Sequence, residues 1–139
     1  MAFGIEDIAD EVAAVLISAE IAADVDFSPT VELPESEKLR VLVCPGGLDG
    51  EVENRLADQE DHVIHVGVIV RVGKDCTGDN IREQLAFVRS IRDLFKRRLL
   101  ETTRVTLAAF ANNPIYRPEK LRDEGLFVSV LKLTFRGFR

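Results

Sequence analysis

The chain has 139 residues, 46% of them hydrophobic and 30% charged, with no Trp, one Tyr and a formal net charge of −6. That size and balance fit one domain able to bury a core in water without disulfides or metal. They argue against a base-stacking or carbohydrate platform, which needs aromatic side chains, and against a specific nucleic-acid binder, which needs a basic surface.

Cys44 and Cys76 stand in unrelated segments without Cys-x-x-Cys spacing, so neither a zinc site nor a disulfide framework is expected. Near the N-terminus the apolar residues are interrupted by Glu6, Asp7, Asp10, Glu11 and Glu20, which predicts neither a signal peptide nor a spanning helix. A cytoplasm-like milieu follows. Charge is unevenly divided. Residues 1–62 hold 16 acids against three bases, a net of −13, while residues 63–139 hold 15 bases against eight acids, a net of +7. Either the acidic half packs against the basic half within a subunit, or the two meet head to tail between subunits, as in a ring.

In chain order, Ile5, Ile8, Val12, Val15 or Leu16, and Ala19 recur at helical spacing and predict a first helix over 4–23, with Glu6 and Asp7 favourably placed in its first turn. Phe27 to Leu33, with Pro29 near its start and Pro34 closing it, reads as an edge strand or an irregular arm. Leu39 to Cys44 alternates as a strand. The polar, Gly-punctuated segment from Gly46 to Asp61 is a long connection, of the kind that is often functional. His62 to Val72 is the clearest strand, with His62, Ile64, Val66, Val68, Val70 and Val72 on one side.

A turn ending in a candidate N-cap, Asp79, introduces a second helix over 80–99. Its apolar stripe is Ile81, Leu85, Val88, Ile91, Phe95 and Leu99, and basic residues crowd its last turns. Arg104 to Phe110 is a further strand. The Pro-punctuated excursion 111–125 then leads into a long strand from Leu126 to Phe138. Before Lys132 both faces of that strand are apolar, so it is expected to be covered by helices on one side and by something else on the other. The whole reads as a single α+β domain over 1–139, a mainly antiparallel sheet with two helices on one face, and arms protruding near 46–61 and 111–125.

Chemistry-bearing motifs are few. The glycines from Gly46 to Gly50 lack the Lys-Ser/Thr of a P-loop. His62 and His65 are three apart on a strand and therefore on opposite faces, which keeps them from sharing a metal. No flanking sequence builds an oxyanion hole or an activating helix start behind Cys44 or Cys76 with His65 as base. The expectation is a protein that is not an enzyme and takes no cofactor and no metal.

Val41-Leu42-Val43-Cys44-Pro45 precedes a charged arm, the long strand carries Val66 to Arg71, and the second helix carries Val88, Ile91 and Leu94. Asn113-Pro114-Ile115-Tyr116 then leads through Leu121-Arg122 to Phe127-Val128-Ser129-Val130-Leu131-Lys132-Leu133-Thr134-Phe135. With these features the chain resembles the neck and tail-completion proteins of tailed bacteriophages, the group of tail terminators and minor tail proteins. The resemblance implies an α+β subunit that forms a ring, a hexamer, capping the finished tail tube. It would touch copies of itself, the tail tube protein and the head–tail connector or neck proteins, while genomic DNA passes through its bore without specific binding. The implied location is the virion tail or neck, assembled in the host cytoplasm and without a membrane. Candidate interface residues are Glu51, Glu53, Arg55, Arg89, Arg92, Lys96, Tyr116 and Arg117. Competing readings are a neck adaptor or head-closure protein of the same layer, and a cytoplasmic small-molecule-binding domain, which would need a concave apolar pocket.

Overall fold

The computed structural model describes residues 4–26, 33, 38–45, 55–56, 59–73, 78–96, 98–112 and 116–138, with the backbone alone at 55–56, 59–60 and 138. The elements are α1 (Ile5–Ser18), β1 (Asp24–Val25), β2 (Leu39–Pro45), β3 (Arg55–Leu56), β4 (Gln59–Arg71), α2 (Gly78–Phe95), β5 (Thr106–Ala111), α3 (Pro118–Glu124) and β6 (Leu126–Phe138). The strands form one sheet in the order β1-β2-β4-β6-β5, with β3 on β4. Every pairing is antiparallel except β1 with β2, so the α+β class and the mainly antiparallel sheet hold, and the sheet is mixed.

Strand alternation decides what each face buries. Val41 and Val43 of β2, Ile64, Val66 and Val68 of β4, and Phe127, Leu131, Leu133 and Phe135 of β6 point to the helices. There they meet Ile8, Val12 and Leu16 of α1 and Val88, Ile91 and Phe95 of α2. Phe95 and Phe135 pack edge to face, with ring centroids 6.0 Å apart. Each such fully buried side chain contributes about 1.5–3 kcal/mol in area removed from water. α1 lies over β1, β2 and β4, and α2 over β6 and β5.

The opposite face carries no helix of the main pair, yet Leu42, Ile69, Leu126 and Val128 are buried there around Leu33. Arg71 reaches back to the same segment, donating through Nη2 to the Leu33 carbonyl at 2.9 Å. The second cover expected over β6 therefore comes, at Leu33, from the subunit's own chain.

Several expectations are corrected. α1 stops at Ser18 rather than residue 23, because the chain turns through Glu20 in the left-handed region (φ 66°) and enters the short strand β1. α2 runs from Gly78 to Phe95, so Asp79 lies inside its first turn instead of capping it, and Leu99 lies beyond its end and is exposed. β4 starts at Gln59, three residues earlier than expected. Its first residues form a hairpin with β3, so the described end of the 46–61 connection is sheet rather than arm. Glu51 and Glu53, with the rest of 46–54, lie outside the described residues, as do Phe27 to Glu32.

The described part of the second expected arm, 111–125, is packed on its own subunit. Tyr116 stacks on Phe127 with ring centroids 5.7 Å apart, and α3, an unexpected third helix, lies against β6. Gly125 ends α3 in the left-handed conformation (φ 67°), where a side chain would be strained. Its carbonyl accepts from the N–H groups of both Val72 and Gly73 at 3.0 Å, tying the turn to the end of β4.

Candidate subunit interface

Arg89 and Arg92 of α2 and Lys96, the residue just past its end, stand at positions i, i+3 and i+7, the spacing of one helix face. That face overhangs β5. The Arg92 guanidinium lies 5.0 Å from the centroid of the Phe110 ring, a cation–π geometry, and also donates to Asp93 Oδ1 through Nε (3.2 Å) and Nη2 (3.0 Å). Arg89 and Lys96 are exposed beside it. Arg98, past the helix end, donates through Nε to the Leu94 carbonyl at 2.9 Å and so satisfies a terminal acceptor.

β5, Thr-Leu-Ala-Ala-Phe-Ala, is the outermost strand on this side and is exposed along most of its length. Phe110 is 43% exposed. The register jumps between Leu107 and Ala109, then runs regularly as Ala109↔Thr134, Phe110↔Leu133 and Ala111↔Lys132. A basic helix flank and an apolar strand edge thus form one surface.

The other sequence-predicted residues do not join it. Tyr116 is half-buried in its stack on Phe127. Arg117 precedes α3, where its N–H donates to the Val128 carbonyl at 3.1 Å and its carbonyl accepts from Leu121. Of Arg55 the backbone alone is described, in the β3–β4 hairpin.

α1, over β1, β2 and β4, carries exposed acids toward the other end of the sheet. Glu6, Asp7 and Asp10 lie on the exposed face of α1, and Glu20 and Asp24 are exposed where the chain enters β1. Among ion pairs between described residues, Arg92–Asp93, Lys120–Glu124 and Arg122–Asp123 are local to the second half of the chain. Arg136–Asp61 joins the halves, bidentate at 2.8 and 3.1 Å across the β4–β6 pairing. Its hydrogen bond to Asp61 raises the Arg136 pKa above the ordinary guanidinium value, against the desolvation that lowers it.

Two further places bear on chemistry. An open groove of about 320 Å³ runs between α1 and the chain after α2, lined by Val15, Ser18, Arg98, Leu99 and Thr102. Glu11, which also lines it, is committed to structure. Its carboxylate accepts from Thr102 N–H (2.8 Å), Thr103 N–H (3.0 Å) and Thr103 Oγ1 (2.8 Å), clamping α1 to that turn. On the sheet face away from the helices, Cys44 lies directly opposite His65. Both are buried, at 4% and 7% exposure, and Cys44 Sγ donates to the Pro45 carbonyl at 3.8 Å, so the thiol is sheltered rather than presented. His62 faces the helices, opposite Phe135, while His65 pairs with Lys132 on the other face, as alternation requires. Among the described residues no group of three or more His, Cys, Asp or Glu is placed to hold a metal, and no helix is long and apolar enough to cross a membrane.

Comparison with known protein families finds none that matches this chain, and comparison with curated proteins finds none either. Solved structures do resemble it. One aligns over 100% of this chain and 98% of its own length with a TM-score of 0.54 and 14% identity, a likeness that shows the fold alone.

Proposed function

We propose that this chain is a structural virion protein of a tailed bacteriophage, a ring-forming tail terminator at the head-proximal end of the tail tube that joins the tube to the head–tail connector. The observation that carries this reading is where the charge sits. α2, with Arg89 and Arg92 on it and Lys96 just past its end, lies over β5 and β6, while α1 with its exposed acids lies over β1, β2 and β4. A heterologous contact sets one surface of a subunit against a different surface of the next, so opposite charge on opposite flanks suits ring closure.

Each exposed pair contributes about 0–1 kcal/mol. Repeated around a ring, such pairs steer encounter and fix register more than they add affinity. Acids facing a bore would also repel the phosphates of passing DNA.

The test is reversal of two charges, Arg92→Glu with Lys96→Glu, with assembly followed by sedimentation and negative-stain imaging against ionic strength. Rings in the parent protein and a loss of rings in the variant at low salt are expected. Unchanged ring formation by the folded variant would show that these cations only decorate a solvated helix face. Copurification with headless tails, rather than with heads lacking tails, separates a terminator from a head-closure protein.

A further inference from the structure

The sheet has two ends, and they are complementary. At one end β5 offers a strand edge without a single charged residue; an isolated bridge from Leu99 occupies it at Thr106, and beyond that no strand pairs to it among the described residues. Such an edge is a template for another strand, and proteins that do not use one usually protect it with charge or proline. The bulge at Ala108 bends the beginning of β5 but leaves Ala109 to Ala111 in regular register. Arg92 lies over the Phe110 ring of this edge, and the exposed Arg89 and Lys96 flank it at helical spacing. At the other end β1 is outermost, and the exposed acids beside it are Glu20 and Asp24.

We infer that the β5 edge receives the β1 edge of a second copy of this chain, continuing the sheet from subunit to subunit. This rests on the ring-assembly reading and names its surface. Strand directions support the match. β1 runs parallel to β2, whereas each of the steps β2–β4, β4–β6 and β6–β5 is antiparallel, so β5 runs opposite to β1. Successive subunits set side by side in the same orientation therefore bring β5 against the next β1 as an antiparallel pair. Faces agree as well. Ala109 lies opposite Thr134 and Asp24 opposite Leu42, both on the sheet face away from α1 and α2, while Phe110 and Val25 lie on the helix face. The exposed Phe110 would be covered by the neighbour, and the cations above it would meet Glu20.

The experiment is cysteine cross-linking of the full chain in a Cys76→Ser background. Ala109→Cys and Asp24→Cys are made singly and together, treated with a short bismaleimide, and run on a denaturing gel beside sedimentation of the same samples. The double variant is expected to give a ladder of dimer, trimer and higher species, and each single variant no more than the background. A dimer from Ala109→Cys alone would overturn the proposal in favour of a two-fold edge contact. An assembled double variant that does not cross-link would overturn this surface while leaving the assembly reading standing, and a parent chain that sediments as a monomer at every concentration overturns both. Should the cysteine pair disturb folding, Arg89→Glu and Glu20→Arg read the same contact. Each alone should lose assembly at low salt and the two together regain it, and absence of that regain counts against the pairing.

Discussion

The helix-covered face of the sheet buries Phe95, Phe127 and Phe135 completely among apolar neighbours, whereas the opposite face holds a smaller cluster, Leu33, Leu42, Ile69, Leu126 and Val128, beside Cys44 and His65. One face is dried by amphipathic helices whose stripes interlock. The other buries a smaller cluster around Leu33, whose carbonyl accepts a hydrogen bond from Arg71. The helix-covered face is closed to a partner and the other is buried around Leu33 but half-buried at Lys132, Thr134 and Arg136, so the surfaces left for assembly include the sheet's edges and the outer faces of its helices.

The difference can be broken by mutation. Phe135→Ala, on the helix face, should cost about 3–5 kcal/mol, because a large ring is removed from a site walled by Phe95 and unable to collapse. Urea unfolding followed by circular dichroism reads this as a large fall in midpoint at unchanged slope. Leu42→Ala, on the opposite face, is expected at about 2 kcal/mol, the low end of the range for such truncations, since the buried cluster around it is smaller. Equal losses at the two positions would mean that the second cover is as rigid as the helices.

A smaller effect belongs to the connection between the faces. Gly125→Ala forces a side chain into the left-handed turn and should cost about 1–2 kcal/mol. Hydrogen exchange should then quicken at Val72 and Gly73, whose N–H groups share the Gly125 carbonyl. If exchange there is unaltered, the turn does not couple α3 to the end of β4.

Much of this architecture is written locally. The alternation of β4 and β6 names their helix-facing residues, and β6 begins and ends at Leu126 and Phe138 as its composition indicates. The cationic face of α2 follows from spacing alone, since Arg89, Arg92 and Lys96 recur at helical intervals whatever lies beneath. α3 is not legible for a definite reason. Pro118 marks loops more often than helices, although it is tolerated at a helix's first turn, and seven residues with none buried leave no periodic stripe to read. Tyr116, in a Pro-rich stretch, reads as an exposed contact because nothing local announces the Phe127 ring beneath it.

Which residues alternate, which helix faces are apolar and how charge divides between the halves of the chain can be read locally, because these depend on periods of two and 3.6 residues and on counting. That β5 is an edge and Phe110 exposed, that β1 joins β2 in parallel, and that α1 covers one end of the sheet and α2 the other came from the fold. Those outcomes hang on strand order and on which surface each helix covers. They are set by contacts between residues far apart in the chain, and no local pattern encodes them.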